Sequence, residues 1–217
     1  MSGPLVIAVD GPAASGKGTI AEGLARHFGL PYLDTGLLYR AVAVLTKRRT
    51  GDLDKADAEW VARSLRADVL TDPALRTREA GELASRVAAY GGVRAALLDF
   101  QRTFAAQERG AVLDGRDIGT VIAPNAVAKL FVTARPEVRA ERRWRQLGAQ
   151  GERAPIEAVL EDIRIRDQRD SARSDAPLIQ AEDAVLLDTS DMSIEEAADA
   201  ARRIVETARA QRDNPEG

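Results

Sequence analysis

The sequence predicts an α/β protein: a five-stranded parallel sheet with helices on both faces, a mostly helical inserted segment and a short polar interruption. Three observations predict it. Five short apolar runs recur along the chain: LVIAVD (5–10), LPYLD (30–34), AVLDG (111–115), AKLFVT (128–133) and AVLLD (184–188). Longer segments with apolar residues at helical spacing separate them. The runs are apolar on both sides, which suits strands covered on both faces better than a half-exposed antiparallel sheet.

Taken in order, LVIAVD is a β-rich run that ends in turn residues. Lys17 to Phe28 carries Ile20, Leu24 and Phe28 at helical spacing, and Leu37 to Thr46 reads as the next helix. Residues 50–92 interrupt the rhythm. They are mostly helical, with ADVLTDPALRT as an extended or looped piece, and read as an inserted subdomain. Pro136 and Pro155 stand where a first helical turn tolerates proline. The segment GAQGERAP (148–155) is Gly-rich and polar between two helices, as a small mobile lid is. Ser193 to Glu196 is a capping box that opens the last helix. QRDNPEG (211–217) reads as a frayed tail. The 217 residues fit one domain with small appendages, and no internal repeat is present.

Composition narrows the function classes. Apolar residues make up 45% and charged residues 30%, an ordinary soluble balance. No apolar run reaches the length of a membrane span. MSGPLVIAVDG lacks the basic start and long apolar stretch of a signal peptide, so a cytoplasmic location is expected. Without cysteine there is no disulfide, thiolate metal site or cysteine nucleophile. A single histidine argues against a His-based metal site or triad. The net charge of −3 argues against a nucleic-acid partner, and no membrane partner is expected. Arginine outnumbers lysine 27 to 4. Codon composition explains most of that, although some arginines could grip phosphates in bidentate fashion.

Gly11 to Thr19 reads GPAASGKGT, placed between a strand and a helix. Glycines let the backbone approach an anion closely, and the free N–H groups at a helix start favour one there. Lys17 adds a charge against β- and γ-phosphates. Gly11, Pro12, Ala13, Ala14, Ser15, Gly16, Lys17, Gly18 and Thr19 are therefore the expected ATP-binding loop. The general pattern places Ser or Thr directly after the lysine. Here Gly18 stands there and the threonine comes one place late. A GKGT ending looks like the nucleoside monophosphate kinases, which by that likeness hold Mg²⁺ largely through waters. No guanine-reading NKxD stretch is present.

Three further stretches sharpen the likeness. YLDTGLLYRAVA (32–43), LDGRDIGTVIAPNA (113–126) and RDQRDSARSDAPL (166–178) together resemble bacterial cytidylate kinases, as does VRAERRWRQL (138–147). The resemblance covers nearly the whole chain, and DGRDIGT after a strand is its most specific piece. It implies a P-loop kinase fold that phosphorylates CMP and dCMP from ATP with Mg²⁺, an acceptor subdomain near 35–107 and a lid near 143–155. It also implies small-molecule nucleotides as the partners, and a monomer is expected.

The residue chemistry suits that substrate. Phosphoryl transfer between two anions needs positive charge at the transfer point and exclusion of water. By resemblance, Arg40, Arg116 and Arg173 hold the acceptor phosphate, with the Thr35 hydroxyl beside them. Lys17, Arg116 and Arg173 are the expected catalytic residues. The strand end at Asp114 to Asp117 is where open α/β sheets bind ligands. Cytosine offers acceptors at O2 and N3 and an amino donor at N4. By resemblance, Arg94 and Ser85 serve the acceptor side and Asp117 the amino side, and a carboxylate there would reject uracil. Arg166, Asp170 and Arg173 share one face if helical. Spacing alone favours a solvated salt-bridged face, since 135–173 holds ten arginines and eight acids. The resemblance instead gives Arg166 and Asp170 to the ribose. Arg139 and Arg143 are expected on the ATP side at the base of the lid. Arg142, Arg145, Arg153 and Arg164 have no such support.

Asp114 ends an apolar strand. A contact to Mg²⁺ through water and a buried hydrogen-bonding role in the turn both fit it. His27 reads as a helix C-terminal residue, and Trp60 and Trp144 as packing residues. No general base is needed, because the acceptor oxygen is already ionised at neutral pH. The family pattern has a larger insert, a small hairpin sheet, before LRTREAGELASRVAAYGGVR. Here only DVLTDPA fills that place, and the hairpin is not carried over. The rival readings are a P-loop kinase for another acceptor such as UMP or AMP, and a nucleotide-binding regulatory module without turnover.

Overall fold

The computed structural model describes residues 3–214. All five expected strands form: β1 (Leu5–Asp10), β2 (Tyr32–Asp34), β3 (Gly110–Gly115), β4 (Ala128–Thr133) and β5 (Val185–Asp188). They pair in the order β2-β3-β1-β4-β5, and every pair is parallel. The central strand explains its own apolar run. Ile7, Ala8 and Val9 are fully buried, and they alternate between two cores.

Ile7 and Val9 face α1 (Lys17–Phe28) and α8 (Ile194–Asp213), where Ile20, Leu24, Ala201 and Val205 close the core. Ala8 faces the other side with Leu33 and Leu113. That core continues without a break into α2 (Thr35–Thr50), α3 (Lys55–Arg63), α4 (Arg78–Val87) and α5 (Gly91–Ala105). The inserted segment thus shares its core with the sheet. A third, smaller cluster joins α6 (Pro136–Ala149) to α7 (Ile156–Ser171) through Ala140, Leu147, Val159 and Ile163, with Ala14 against it. Among the described residues no helix is long and apolar enough to cross a membrane.

Several expectations need correcting. ADVLTDPALRT is neither extended nor a plain loop: Ala67–Thr71 and Pro73–Arg76 are short 3₁₀ turns, the second capped by Asp72. No hairpin stands among the described residues there, as the short segment requires. Helix α2 runs from Thr35 to Thr50, longer at both ends than its apolar pattern, and stops at Gly51 in the left-handed conformation. Residues 143–149 belong to α6, so the polar interruption is a six-residue connection at 150–155. Strand β5 is an edge strand, and Val185 and Leu186 are exposed while Leu187 is buried.

The tryptophans do not pack in the core. Trp60 lies under the Arg49 guanidinium at 4.0 Å, and the half-exposed Trp144 donates Nε1–H to the Ala154 carbonyl at 2.9 Å. At the tail, residues 211–213 continue α8, and Arg212 donates to the carbonyls of Gly3 and Pro4. Residues 215–217 of the predicted frayed end lie outside the described residues.

The capping box of α8 forms as read. The Glu196 N–H donates to Ser193 Oγ at 3.1 Å, and the Ser193 N–H donates to the Glu196 carboxylate at 2.8 Å. Ser193→Ala is expected to cost about 1 kcal/mol. In a domain of this size that lowers Tm by about 2–4 °C, and thermal unfolding measures it.

Candidate active site

The C-terminal ends of β1 and β3 open into a cavity of about 630 Å³. The loop from Gly11 to Gly16 forms one wall. Gly11 (φ 151°) leaves β1 so close to β4 that a Cβ would run into the Val132 carbonyl. Ala14 (φ 60°) and Gly16 (φ 89°) turn the chain into α1 through left-handed conformations. Gly11 and Pro12 are buried at the strand exit, while Ala13 to Thr19 line the cavity.

Groups outside the loop hold its carbonyls. Arg139 Nη1 donates to Ala13 O at 3.3 Å, Arg142 Nη1 donates to Ser15 O at 3.3 Å, and Thr189 Oγ1 donates to Ser15 O at 3.0 Å. With those carbonyls engaged behind the loop and the first N–H groups of α1 unpaired within the helix, the donors remain for a ligand. Asp10, the last residue of β1, braces the adjoining turn. Its two carboxylate oxygens accept the N–H groups of Ile118 and Gly119 at 2.8 and 2.7 Å. Burial pushes Asp10 up to about 6 against those two bonds.

Lys17 reaches across to Asp114, with Nζ 3.8 Å from Oδ2. Burial raises the Asp114 carboxyl, and Asp34 nearby raises it further. Burial, with Arg116 next, lowers the Lys17 ammonium. Asp114 Oδ1 accepts a hydrogen bond from Tyr32 at 2.8 Å. Among the described residues no group of three or more His, Cys, Asp or Glu encloses a metal position. One carboxylate oxygen facing the phosphate loop fits a hard cation held mostly by phosphate and water.

The opposite wall is an arginine cluster built on Asp170. This carboxylate is 1% exposed. Arg116 Nε donates to its Oδ2 at 2.7 Å, Arg173 pairs with Oδ1, and Arg166 Nε lies 3.9 Å from Oδ2. Ser85 Oγ adds a bond to Oδ1 at 3.3 Å. Burial alone would raise Asp170, but the three arginines hold it down to about 2. Nε of Arg166 and Nε of Arg173 are buried without a hydrogen-bond partner. Burial, then Arg116, pushes Arg166 below the usual guanidinium range, a cost that an anion between these groups reverses. Arg40 lines the same cavity and is anchored by donating to Leu75 O at 2.8 Å. Outside the cavity lining, Arg94 pairs with Asp117, and Arg94 Nη1 donates to the Tyr39 hydroxyl at 3.4 Å. Burial raises Asp117, while Arg94 opposes that shift.

The structure therefore brings Lys17, Arg40, Arg116, Arg143 and Arg166 to one cavity, with the phosphate loop facing the arginines. The other expected residues stand behind its walls: Asp170, Arg173, Arg94 and Asp117 do not line the cavity, and neither do Arg139, Thr35 and Ser85. Arg139 is 4% exposed and committed to Asp167, at 3.0 and 2.6 Å, and to the Ala134 and Ala13 carbonyls. It supports the loop from beneath. Thr35 is 3% exposed and donates its hydroxyl to the Asp114 carbonyl at 2.8 Å, joining α2 to β3. Ser85 is likewise buried, with its hydroxyl on Asp170. Arg142, which had no support in the sequence, takes the position expected of Arg139. It lines the cavity and grips both Ser15 and Thr189. Asp34, Arg76 and Arg78 line the cavity as well and were not anticipated.

Asp170→Asn leaves three guanidiniums without their counter-charge, and breaking a buried pair of this kind costs about 3–5 kcal/mol. The sign with pH is fixed by the depressed carboxyl. Its contribution is fully present above the unfolded value near 3.8 and is lost as pH falls through about 2. Urea unfolding is expected to show a large gap between wild type and variant at pH 7 that closes progressively below about pH 4.

Residues 7–207 match the sequence profile described as cytidylate kinase. A cytidylate kinase of Caulobacter vibrioides (strain NA1000 / CB15N) is 66% identical over 206 residues, covering 94% of this chain and 97% of that protein. A cytidylate kinase of Xanthobacter autotrophicus is 63% identical over 208 residues, covering 96% of this chain and 100% of the relative. The crystal structure of an uncharacterized protein from Eubacterium ventriosum ATCC 27560 shares the fold, with a TM-score of 0.55 at 15% identity over 94% of this chain and 98% of that one. With a profile match over nearly all of the sheet and cavity, and with relatives this similar along almost their whole length, the chain belongs to the cytidylate kinase family.

Proposed function

We propose that this protein transfers the γ-phosphate of ATP to CMP or dCMP, giving CDP or dCDP. The observation that carries this reading is the pairing of two anion sites in one cavity: a phosphate loop with Lys17 on one wall and Arg40, Arg116 and Arg166 on the other. A module that only bound ATP would have no use for the second. ATP sits with its phosphates on Ala13 to Thr19, and Arg142 and Arg143 close that side. Arg139 acts through the loop backbone it supports. The acceptor phosphate lies among Arg40, Arg116, Arg166 and Arg173. Lys17, Arg116 and Arg173 neutralise charge as it shifts between the two nucleotides. Asp114 would meet Mg²⁺ through water, and the ion, carried with ATP, would supply neutralisation of phosphate charge there. Residues 35–107 form the acceptor subdomain, and 143–155 form the lid that excludes water when both nucleotides are bound.

Arg94 and Asp117 place a donor and an acceptor side by side, the complement of the cytosine N3/O2 and N4 edge. Uracil would set a carbonyl against Asp117 and leave a buried acceptor unpaired, which disfavours it. Positioning and charge neutralisation suffice for the transfer, since the attacking phosphate oxygen needs no base.

A coupled assay with Mg-ATP against CMP, dCMP, UMP, AMP and GMP tests the substrate. CMP and dCMP are expected to lead, and a preference for AMP or no turnover of any monophosphate overturns the reading. Lys17→Ala is expected to lower kcat about 100- to 1000-fold, as loss of a preorganised electrostatic group does. Asp117→Asn is expected to narrow the CMP/UMP ratio by about tenfold or more, the scale of one buried hydrogen-bond mismatch. An unchanged ratio would assign N4 recognition to another group.

A further inference from the structure

The general phosphate-loop pattern puts a hydroxyl directly after the lysine, and this chain has Gly18 there. The space is not empty of oxygen. A Cβ built on Gly18 would stand 3.7 Å from the Tyr32 hydroxyl and 3.9 Å from Asp114 Oδ2, ordinary contact distances to both. A serine side chain at 18 would thus lie beside the groups that already meet there. Tyr32 starts β2, and its ring packs against the core under α1, which fixes the phenol from below. Its hydroxyl donates to Asp114 Oδ1 at 2.8 Å, and Asp114 keeps Oδ2 toward Lys17.

Resting on the kinase reading above, we infer that Tyr32 is a positioning residue for phosphoryl transfer: its hydroxyl replaces the one missing after Lys17 by holding Asp114 in place. The physical reason is competition. Asp114 and Lys17 carry opposite charges 3.8 Å apart inside a buried site. If Asp114 were free to turn, it would close on the ammonium and draw Lys17 away from the donor phosphates. A hydrogen bond to Oδ1 removes that freedom and keeps Oδ2 available on the side where a phosphate-borne cation would be met. Thr35 fixes the same residue through its carbonyl, so both ends of Asp114 are held by the β2–α2 segment.

Three variants test this: Tyr32→Phe, Gly18→Ser, and the two combined. The first readout is calorimetric: the factor by which Mg²⁺ strengthens ATP binding. The second is kcat and KM for CMP phosphorylation, and thermal unfolding reports on folding. Tyr32→Phe is expected to reduce the Mg²⁺ effect and kcat by about 10- to 100-fold, the scale of losing a group behind a ligand, with KM for CMP unchanged. Adding Gly18→Ser to Tyr32→Phe is expected to restore most of both, because a Cβ at 18 lies 3.7 Å from the place of the lost phenol oxygen and returns a hydroxyl to that side of Asp114. A Tyr32→Phe protein with a wild-type Mg²⁺ effect, whether or not its Tm falls, overturns the inference. So does a double variant no better than the single. Failure of wild type to phosphorylate CMP would instead sink the functional reading, and the binding measurement would still decide Tyr32.

Discussion

Three guanidiniums, two of them lining the cavity, converge because Asp170 stands between them. Like charges at contact distance repel by about 4 kcal/mol even at an effective dielectric constant near 20. Arg116 follows β3, Arg166 lies on α7 and Arg173 follows the end of α7. Without a common counter-charge these elements could not converge. Asp170 also accepts from Ser85 on α4. One carboxylate therefore ties the sheet edge, the inserted segment and α7 into a single frame. A buried ion cluster is costly to desolvate and is weak evidence of net stability. Its effect here is positional: it aims cationic groups at a common point while leaving some of their N–H donors free.

The phosphate loop faces that cluster and is shaped in the opposite way. The arginines need a counter-charge behind them, whereas the loop needs its carbonyls occupied behind it. Arg139, Arg142 and Thr189 supply that, from α6 and from the end of β5, and Asp10 fixes the neighbouring turn at Ile118 and Gly119. The sheet makes this possible. Adjacent parallel strands deliver β1, β3 and β4 to the same edge, so the loop, the DGRD turn and the start of α6 crowd together there. Gly11 is required by that crowding, since β4 leaves no room for a side chain against Val132.

The sheet was readable because each strand is a compact apolar run bounded by turn residues, and those signals are local. The loop was readable for the same reason: nine consecutive residues carry it. Parts that depend on direction or distance were not. Arg139 and Arg143 share a helical spacing, but α6 carries arginines at 139, 142, 143 and 145, and spacing does not say which face meets the loop. Its first turn packs on the loop's underside, which buries Arg139 and leaves Arg142 and Arg143 at the cavity. The Arg166, Asp170 and Arg173 face was visible in the sequence, but its link to Arg116, 54 residues from Asp170, was not. Thr35 matched a family position, yet sequence does not show that its hydroxyl points at the Asp114 carbonyl. ADVLTDPALRT has neither helical nor strand periodicity, so its 3₁₀ turns left no signal. Asp10 closes an apolar strand in the sequence, but nothing local points to its partners Ile118 and Gly119, 108 and 109 residues away.

The late threonine also takes on a definite meaning. Successive residues on a helix are turned by about 100°, so Thr19 is not the missing hydroxyl moved by one place. Thr19 lines the cavity from the first turn of α1, while the side-chain position of residue 18 faces Tyr32 and Asp114. Gly18 lets β2 and β3 come up under the loop and complete it with their own polar groups. A serine at 18 would carry its hydroxyl on the first turn of α1 itself. A tyrosine on β2 carries it on the sheet, held by the core that α1 and β1 already share. The loop can then stay glycine-rich and close-fitting, because the strands beneath it supply the side-chain chemistry.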